Sequence, residues 1–242
     1  AASDVYKRQL YYDDQKVMDF CKEANRAGLQ IELHAIGDRA FDQACRAIKA
    51  ALDDYPREDH RHGIIHDCLP TPEGIQICRD YHIQMPMQSA FIGWKQEPDD
   101  YLEHILGHDR LEKLNPIRTF RDNNIVVSFG SDAPCTTPDP IAWMDRAVNN
   151  DNAGQAVSVQ DALRMCTYNG AWAAFDEQER GSLEAGKIAD MAVLSENPYT
   201  VPKDKIKDIR VERLYLSGKS YESCRESILP MMLRGLTSRN KA

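Results

Sequence analysis

Two histidines and one aspartate, His34, His66 and Asp132, are the residues of this sequence whose types and surroundings best fit a reaction. Each closes a run with strand character: Leu29-Gln30-Ile31-Glu32-Leu33-His34, Gly63-Ile64-Ile65-His66, and Ile125-Val126-Val127-Ser128-Phe129-Gly130-Ser131-Asp132. Two imidazoles and one carboxylate suit zinc or a similar divalent ion, and three protein ligands leave a coordination position for water. Such a water has its pKa lowered to about 7, which makes hydroxide available near neutral pH. A single His at a strand end is usually a satisfied hydrogen-bonding residue, and Gly130-Ser131-Asp132-Ala133-Pro134 by itself reads as an ordinary turn with an Asx cap. The three together carry the argument, because each ends a different strand.

Other candidates are weaker. His60-x-His62 has metal spacing for a strand, but it sits in a charged stretch (Arg57, Glu58, Asp59, Arg61) and reads as loop. His82, His104 and His108 read as surface or helix-end residues. Cys135 lies beside Asp132 without a local base, and Ser131 lacks the Gly-x-Ser-x-Gly elbow. Neither a G-x-G-x-x-G nor a Walker A sequence occurs, so nucleotide cofactor chemistry has no support.

The elements expected to position the three residues form a strand–helix repeat. Asp13 or Asp14 caps a helix with Val17, Cys21, Ala24 and Ala27 on one face, and Gly28 closes it. In the run that follows, Leu29, Ile31 and Leu33 share one face, and Gln30, Glu32 and His34 share the other. Asp38 precedes a second amphipathic helix carrying Phe41, Ala44, Cys45, Ile48 and Leu52. Thr71-Pro72-Glu73 supplies an N-cap, a proline at the first helical position and an acid in the first turn. A third strand is expected over 83–88, a short helix after Asn115-Pro116, and a helix after Asp139-Pro140 with Ile141, Met144 and Val148. Four such units over roughly residues 29 to 150 have the size of βαβ modules and imply a parallel sheet, at whose C-terminal edge ligands collect. A closed eight-unit barrel needs about 250 residues, so the chain holds about half a barrel or a complete smaller sheet, and the half is favoured.

After residue 157 the pattern changes. Ser158-Val159-Gln160-Asp161 resembles a capping box and opens a helix to about Ala173. Lys203 to Lys207 reads as a solvated loop. Met191 to Leu194 and Val211 to Leu216 read as strands with a tight Ser217-Gly218 turn, too few to stand as a domain without partner strands.

Composition narrows the class. The 242 residues include 30 basic and 38 acidic side chains, for a formal charge of −8, and 42% hydrophobic residues, which excludes disordered and fibrous chains. A pI near 5.4 argues against a nucleic-acid partner. No apolar run approaches the roughly 20 residues of a membrane span, so no membrane partner is expected. Seven cysteines, odd in number and without CxxC spacing, read as small hydrophobes in a reducing compartment, and a cytoplasmic location is expected. The opening Ala1 to Gln9 has no initiator Met and no clear period; it reads as a scar or truncated frame, and so says nothing about a leader.

Several of these segments resemble a known family. His34-Ala35-Ile36-Gly37-Asp38-Arg39-Ala40, Arg61 through His66, and Gly130-Ser131-Asp132-Ala133-Pro134 resemble the amidohydrolase superfamily, specifically the "amidohydrolase 3" metal-dependent hydrolases. Gly181 through Asp190 is similar to the segment with which that superfamily enters its small β-sandwich, and Val211 to Lys219 is similar to its closing strands. The resemblance implies that His34 and His66 are metal ligands ending the fifth and sixth barrel strands. It implies that Asp132 ends the eighth, binds the metal and takes the proton from the attacking water. The family's His-x-His and its strand-four ligand would lie upstream. Departures are Ile65, where Glu often precedes the sixth-strand His, and Ser89, where Pro is usual after Gln88.

The expected fold is therefore α/β: a partial TIM-like (β/α) barrel, units five to eight over 10–175, then part of a β-sandwich over 176–222. Residues 1–9 form a non-native-looking start and 223–242 a tail. The expected function is metal-dependent hydrolysis of an amide-like, non-peptide C–N bond with zinc, or else iron or manganese. The substrate is a small molecule, the missing N-terminal half of the barrel is the partner, and a homo-oligomer is open. This fragment is expected to be inactive alone. The alternatives are a non-catalytic fragment or degenerate homologue serving as a binding module, and a small self-sufficient α/β binding domain without metal.

Overall fold

In the computed structural model, residues 10–221 are described. The expected non-native start and the C-terminal tail, with Cys224, lie outside the described residues. Helix α1 (Asp14–Arg26) begins where the Asp13 carboxylate accepts from the Lys16 amide, and Gly28 leaves it with φ +78°. Strand β1 (Glu32–Ala35) leads into α2 (Asp38–Asp54), β2 (Gly63–His66) into α3 (Pro72–Asp80), and β3 (Met85–Met87) into α4 (Asp99–Leu106) and α5 (His108–Leu111). Helix α6 (Ile117–Asp122), strand β4 (Val127–Phe129) and α7 (Pro140–Val148) complete the repeat. The Thr71 hydroxyl accepts from Gly74 at the start of α3, and the Asp139 carboxylate accepts from Ile141 and Ala142 at the start of α7. Both are the cap-then-proline starts expected from sequence.

β1 pairs with β2 and β3 with β4, all parallel, and a parallel Gly63–Gln84 bridge links the two pairs into the order β1-β2-β3-β4. Helix α2 packs on β1 and β2, and α1 packs on α2. The core between helices and sheet is built from Phe41, Ile48, Ile64, Met85, Phe120 and Met144, all almost fully buried. The apolar stripe of α2 lands in it as its spacing requires.

The remaining elements are α8 (Val159–Cys166), α9 (Tyr168–Ala173), β5 (Met191–Leu194), β6 (Val211–Leu216) and β7 (Lys219–Ser220). β5, β6 and β7 form a three-stranded antiparallel sheet with Ser217 and Gly218 at positive φ in the turn. Val193, Val211 and Leu216 on it are exposed.

Four sequence readings need correction. The helix expected to run unbroken to Ala173 stops at Thr167, whose hydroxyl donates to the Leu163 carbonyl at 2.8 Å; the break lets Asn169 of α9 donate to Val127 of β4 at 2.7 Å. The regular part of the fourth strand is three residues, because Gly130 onward turns away after one further bond to Met87. Lys203–Asp208 is a 3-10 turn whose Ile206 is fully buried against α7, not a solvated loop. Leu29 and Ala27 are exposed, so the alternating inward face starts at Ile31.

Candidate metal centre

Parallel pairing of β1 with β2 sets Leu33 beside Ile64 and Ala35 beside His66, so His34 and His66 emerge at the same C-terminal edge. Their rings stand 4.5 Å apart between centroids at 81°, edge to face. The turn beyond β2 is abrupt: His66 has φ +81° and Asp67 φ +50°, backbone that costs about 1–3 kcal/mol per residue and is typically retained at functional sites. Buried Gln88, just past β3, takes a hydrogen bond from His66 Nδ1 at 2.6 Å. That bond leaves the His66 Nε2 lone pair for coordination and fixes the ring plane, as a neighbour of a metal-ligating histidine does.

Asp132, at φ +52° beyond β4, is exposed, and Gly130 just before it leaves open space where a side chain would stand. The Cys135 thiol is hydrogen-bonded to its carboxylate; local desolvation first, and that negative charge second, hold the thiol above its ordinary range. The structure thus brings His34 and His66 together, while Asp132 stands two strands away. Among the described residues no group of three or more His, Cys, Asp and Glu side chains converges as a cage. The two imidazoles, one with its tautomer set by Gln88, fit a divalent cation, and Asp132 is the acid at the same edge.

Three neighbours escaped the sequence reading. Glu32 keeps solvent access, yet surrounding protein atoms strip its hydration and push its carboxyl up to about 7, against a hydrogen bond from Gln84 at 3.1 Å. Its position beside His34 on the alternating face was the available signal. Asp67 is fully buried with neither carboxyl oxygen hydrogen-bonded, and burial holds it well above the usual carboxylate range, so it is carried as the neutral acid. Gln88 was signalled by closing the third strand run.

His60 and His62 belong to the opposite end of the strands. His62 Nδ1 accepts from the Ile31 amide at 3.1 Å and its Nε2 meets Asn25 Oδ1 at 3.0 Å. His60 Nδ1 accepts from the His62 amide and its Nε2 meets the Tyr81 carbonyl, both at 2.9 Å. Both nitrogens of each ring are committed to the fold. Between them, Arg61 pairs with Glu177 at 2.7 and 2.9 Å, donates to the Trp172 carbonyl, and lies over the Trp172 and Phe175 rings.

Comparison with known proteins bears on this arrangement. An N-substituted formamide deformylase of Arthrobacter pascens is 29% identical over 224 residues, 86% of this chain and 39% of that protein. The protein LONG AFTER FAR-RED 3 of Arabidopsis thaliana is 28% identical over 218 residues, 86% of this chain and 36% of its own. The chain thus spans about two fifths of these relatives. A metal-dependent hydrolase of Pyrococcus horikoshii superposes with a TM-score of 0.67 at 23% identity, over 81% of this chain and 40% of that one. Ochratoxinase of A. niger gives 0.62 at 16%, over 89% and 47%. These likenesses show a shared α/β fold. The profile of the amidohydrolase family runs from residue 2 to residue 221, through both the parallel strands and the antiparallel sheet, and on that ground the chain belongs to the amidohydrolase family.

Proposed function

We propose that the four strand–helix units are half of a (β/α) barrel, that β5 to β7 are part of its accompanying sandwich, and that the whole protein hydrolyses an amide-like C–N bond outside peptide chains. The observation that carries this reading is the His34–His66 pair at the C-terminal strand edge, with His66 held through Nδ1 by Gln88. His34, His66 and Asp132 would hold a divalent cation, zinc first and iron or manganese otherwise. Bound there, it would polarise the substrate carbonyl and acidify a water.

The chain's own residues do the rest. Gln88 keeps the His66 ring aligned and its second nitrogen bare of hydrogen. Asp132 accepts the proton of the attacking water at a carboxylate oxygen and delivers it to the departing nitrogen. Glu32, on the same face of the strand as His34, is a second acid there, its carboxyl pushed up to about 7 by desolvation. The substrate is a small molecule entering at this edge.

A second reading, a metal-free binding module, draws on Asp132 standing apart from the histidine pair. Elemental analysis separates the two when made on this chain and on the chain joined to an upstream barrel half. Stoichiometric metal in the joined protein, and at least about a hundredfold lower kcat in Asp132→Asn, is the expected result. A joined protein that folds but takes up no metal ends the hydrolytic reading, and a loss of only a few-fold ends the role of Asp132.

A further inference from the structure

An open cleft of about 540 Å³ lies between the segment after β3 and the segment after β4, lined from Ala133, the neighbour of Asp132 in sequence, onward. Its walls are Trp94 and Ala90 on one side and Pro134, Cys135, Thr137 and Pro138 on the other, and none of its lining residues is Asp, Glu, Lys or Arg. In a chain with 28% charged residues, an uncharged wall at the mouth is selective by composition. A row of rings leads into it: His66 to Phe91 at 6.0 Å, then Phe91 to Trp94 at 5.1 Å.

The walls are held in place. The Trp143 indole donates to the Thr137 carbonyl at 3.2 Å while the Trp143 carbonyl accepts from Ser89 at 2.9 Å, so one residue of α7 ties both segments. Thr136 donates back to the Ser131 carbonyl, and the Cys135 amide donates to the Asp132 carbonyl at 2.8 Å. Gly93, at φ +63°, turns the chain into Trp94 where a Cβ would lie 2.9 Å from Asp151 Oδ2 and 3.0 Å from Arg146 Nη1. The walls are therefore held, and polar groups, with the side chains of Gln96, Thr136 and Thr137 among them and none charged, make up nearly half of the exposed lining.

We propose that this cavity is the subsite for an uncharged, ring-sized apolar substituent of the amide substrate, with Trp94 as the specificity-determining face. The inference rests on the hydrolase reading for the word substrate, while the pocket's preference stands on its own walls. A flat ring stacks on Trp94 and is flanked by two prolines, whereas a carboxylate would lose its hydration, find no positive charge in the lining and stand near the Asp132 carboxylate bonded to Cys135.

Cys135, an exposed wall residue, makes the test direct. Alkylation of Cys135 by iodoacetamide in the full chain is followed by peptide mass spectrometry, with N-phenylacetamide, acetamide or succinamate present. N-phenylacetamide is expected to slow alkylation in a saturable way, and acetamide and the anionic succinamate to leave it unchanged. Trp94→Ala is expected to raise the half-protecting concentration at least about tenfold. Thr137→Lys, at an exposed position whose folding is checked by circular dichroism, is expected to do the same. Equal protection by all three amides, no protection by any, or protection unchanged in both variants overturns the proposal. Failure of the hydrolase reading looks different: ring-selective protection persists, while the protein joined to its upstream half takes up no metal.

Discussion

Two histidine pairs of nearly equal spacing sit at opposite ends of the same strands. His34 and His66 stand 4.5 Å apart at the C-terminal edge, and His60 and His62 stand 4.4 Å apart at the entry to β2. Spacing does not separate them; the partners of His62 and His66 do. The entry pair spends both nitrogens of each ring on main-chain groups and Asn25, and desolvation pushes His62 down to about 3 and lowers His60. At the mouth, His66 binds Gln88 through Nδ1, and the proposed cation would take Nε2. Two histidines near one another form a structural staple where main-chain groups and a buried amide hold both nitrogens of each ring, as at the entry to β2.

The comparison can be broken most sharply at His34. His34→Ala should abolish stoichiometric metal uptake in the joined protein, whereas His60→Ala should leave stoichiometry intact in whatever fraction folds; elemental analysis reads both. The entry pair should answer to stability instead. Asn25→Ala strips partners from the Ala51 and Tyr55 carbonyls and from His62, and should cost about 2–4 kcal/mol in urea unfolding. A cost within about 0.5 kcal/mol would deny the staple. At the mouth, Gln88→Leu should weaken metal affinity by about 10–100-fold without removing the site, measured by competition with a chelator.

The pH response sharpens the same contrast. His62 has its folded pKa depressed to about 3 from the ordinary 6.5, so the unfolded chain binds more protons between those values. Its contribution is full above pH 6.5 and is lost progressively as pH falls toward 3. His62→Phe should flatten that part of the stability curve, and an unchanged slope would refute the assignment. The smallest effect belongs to His82, exposed and outside both pairs: His82→Ala should shift stability by no more than about 0.5 kcal/mol.

Much of the mouth was legible because it depends on local periodicity. Alternation in 29–34 placed Glu32 with His34, and the run 63–66 closed at His66 as read, while the run to Asp132 overran the strand that stops at Phe129. The helix starts at Thr71-Pro72 and Asp139-Pro140 were readable because a cap is a contact two or three residues long. The entry staple was not legible, because its partners lie 21 to 37 residues away and the flanking charges Arg57, Glu58 and Asp59 mimic a solvated loop. Arg61 misleads in the same way, since its partner Glu177 is 116 residues distant. The break at Thr167 was hidden because its benefit, the Asn169 bond to β4, is tertiary. Helices α4 and α5 were missed because neither buries a residue, and without a buried face there is no stripe to read.

Gly63 has a consequence for the sequence history of this fold. A Cβ at that position would lie 2.3 Å from Glu32 Oε2, inside the space the neighbouring strand's carboxylate occupies. Positions 32 and 63 are therefore not independent letters: a lineage that acquires a side chain at 63 must shorten the residue at 32 or swing its flexible end aside. Among descendants of one ancestor the two columns should change together, and a lineage carrying Glu at 32 with a β-branched residue at 63 would mark a mouth packed differently from this one.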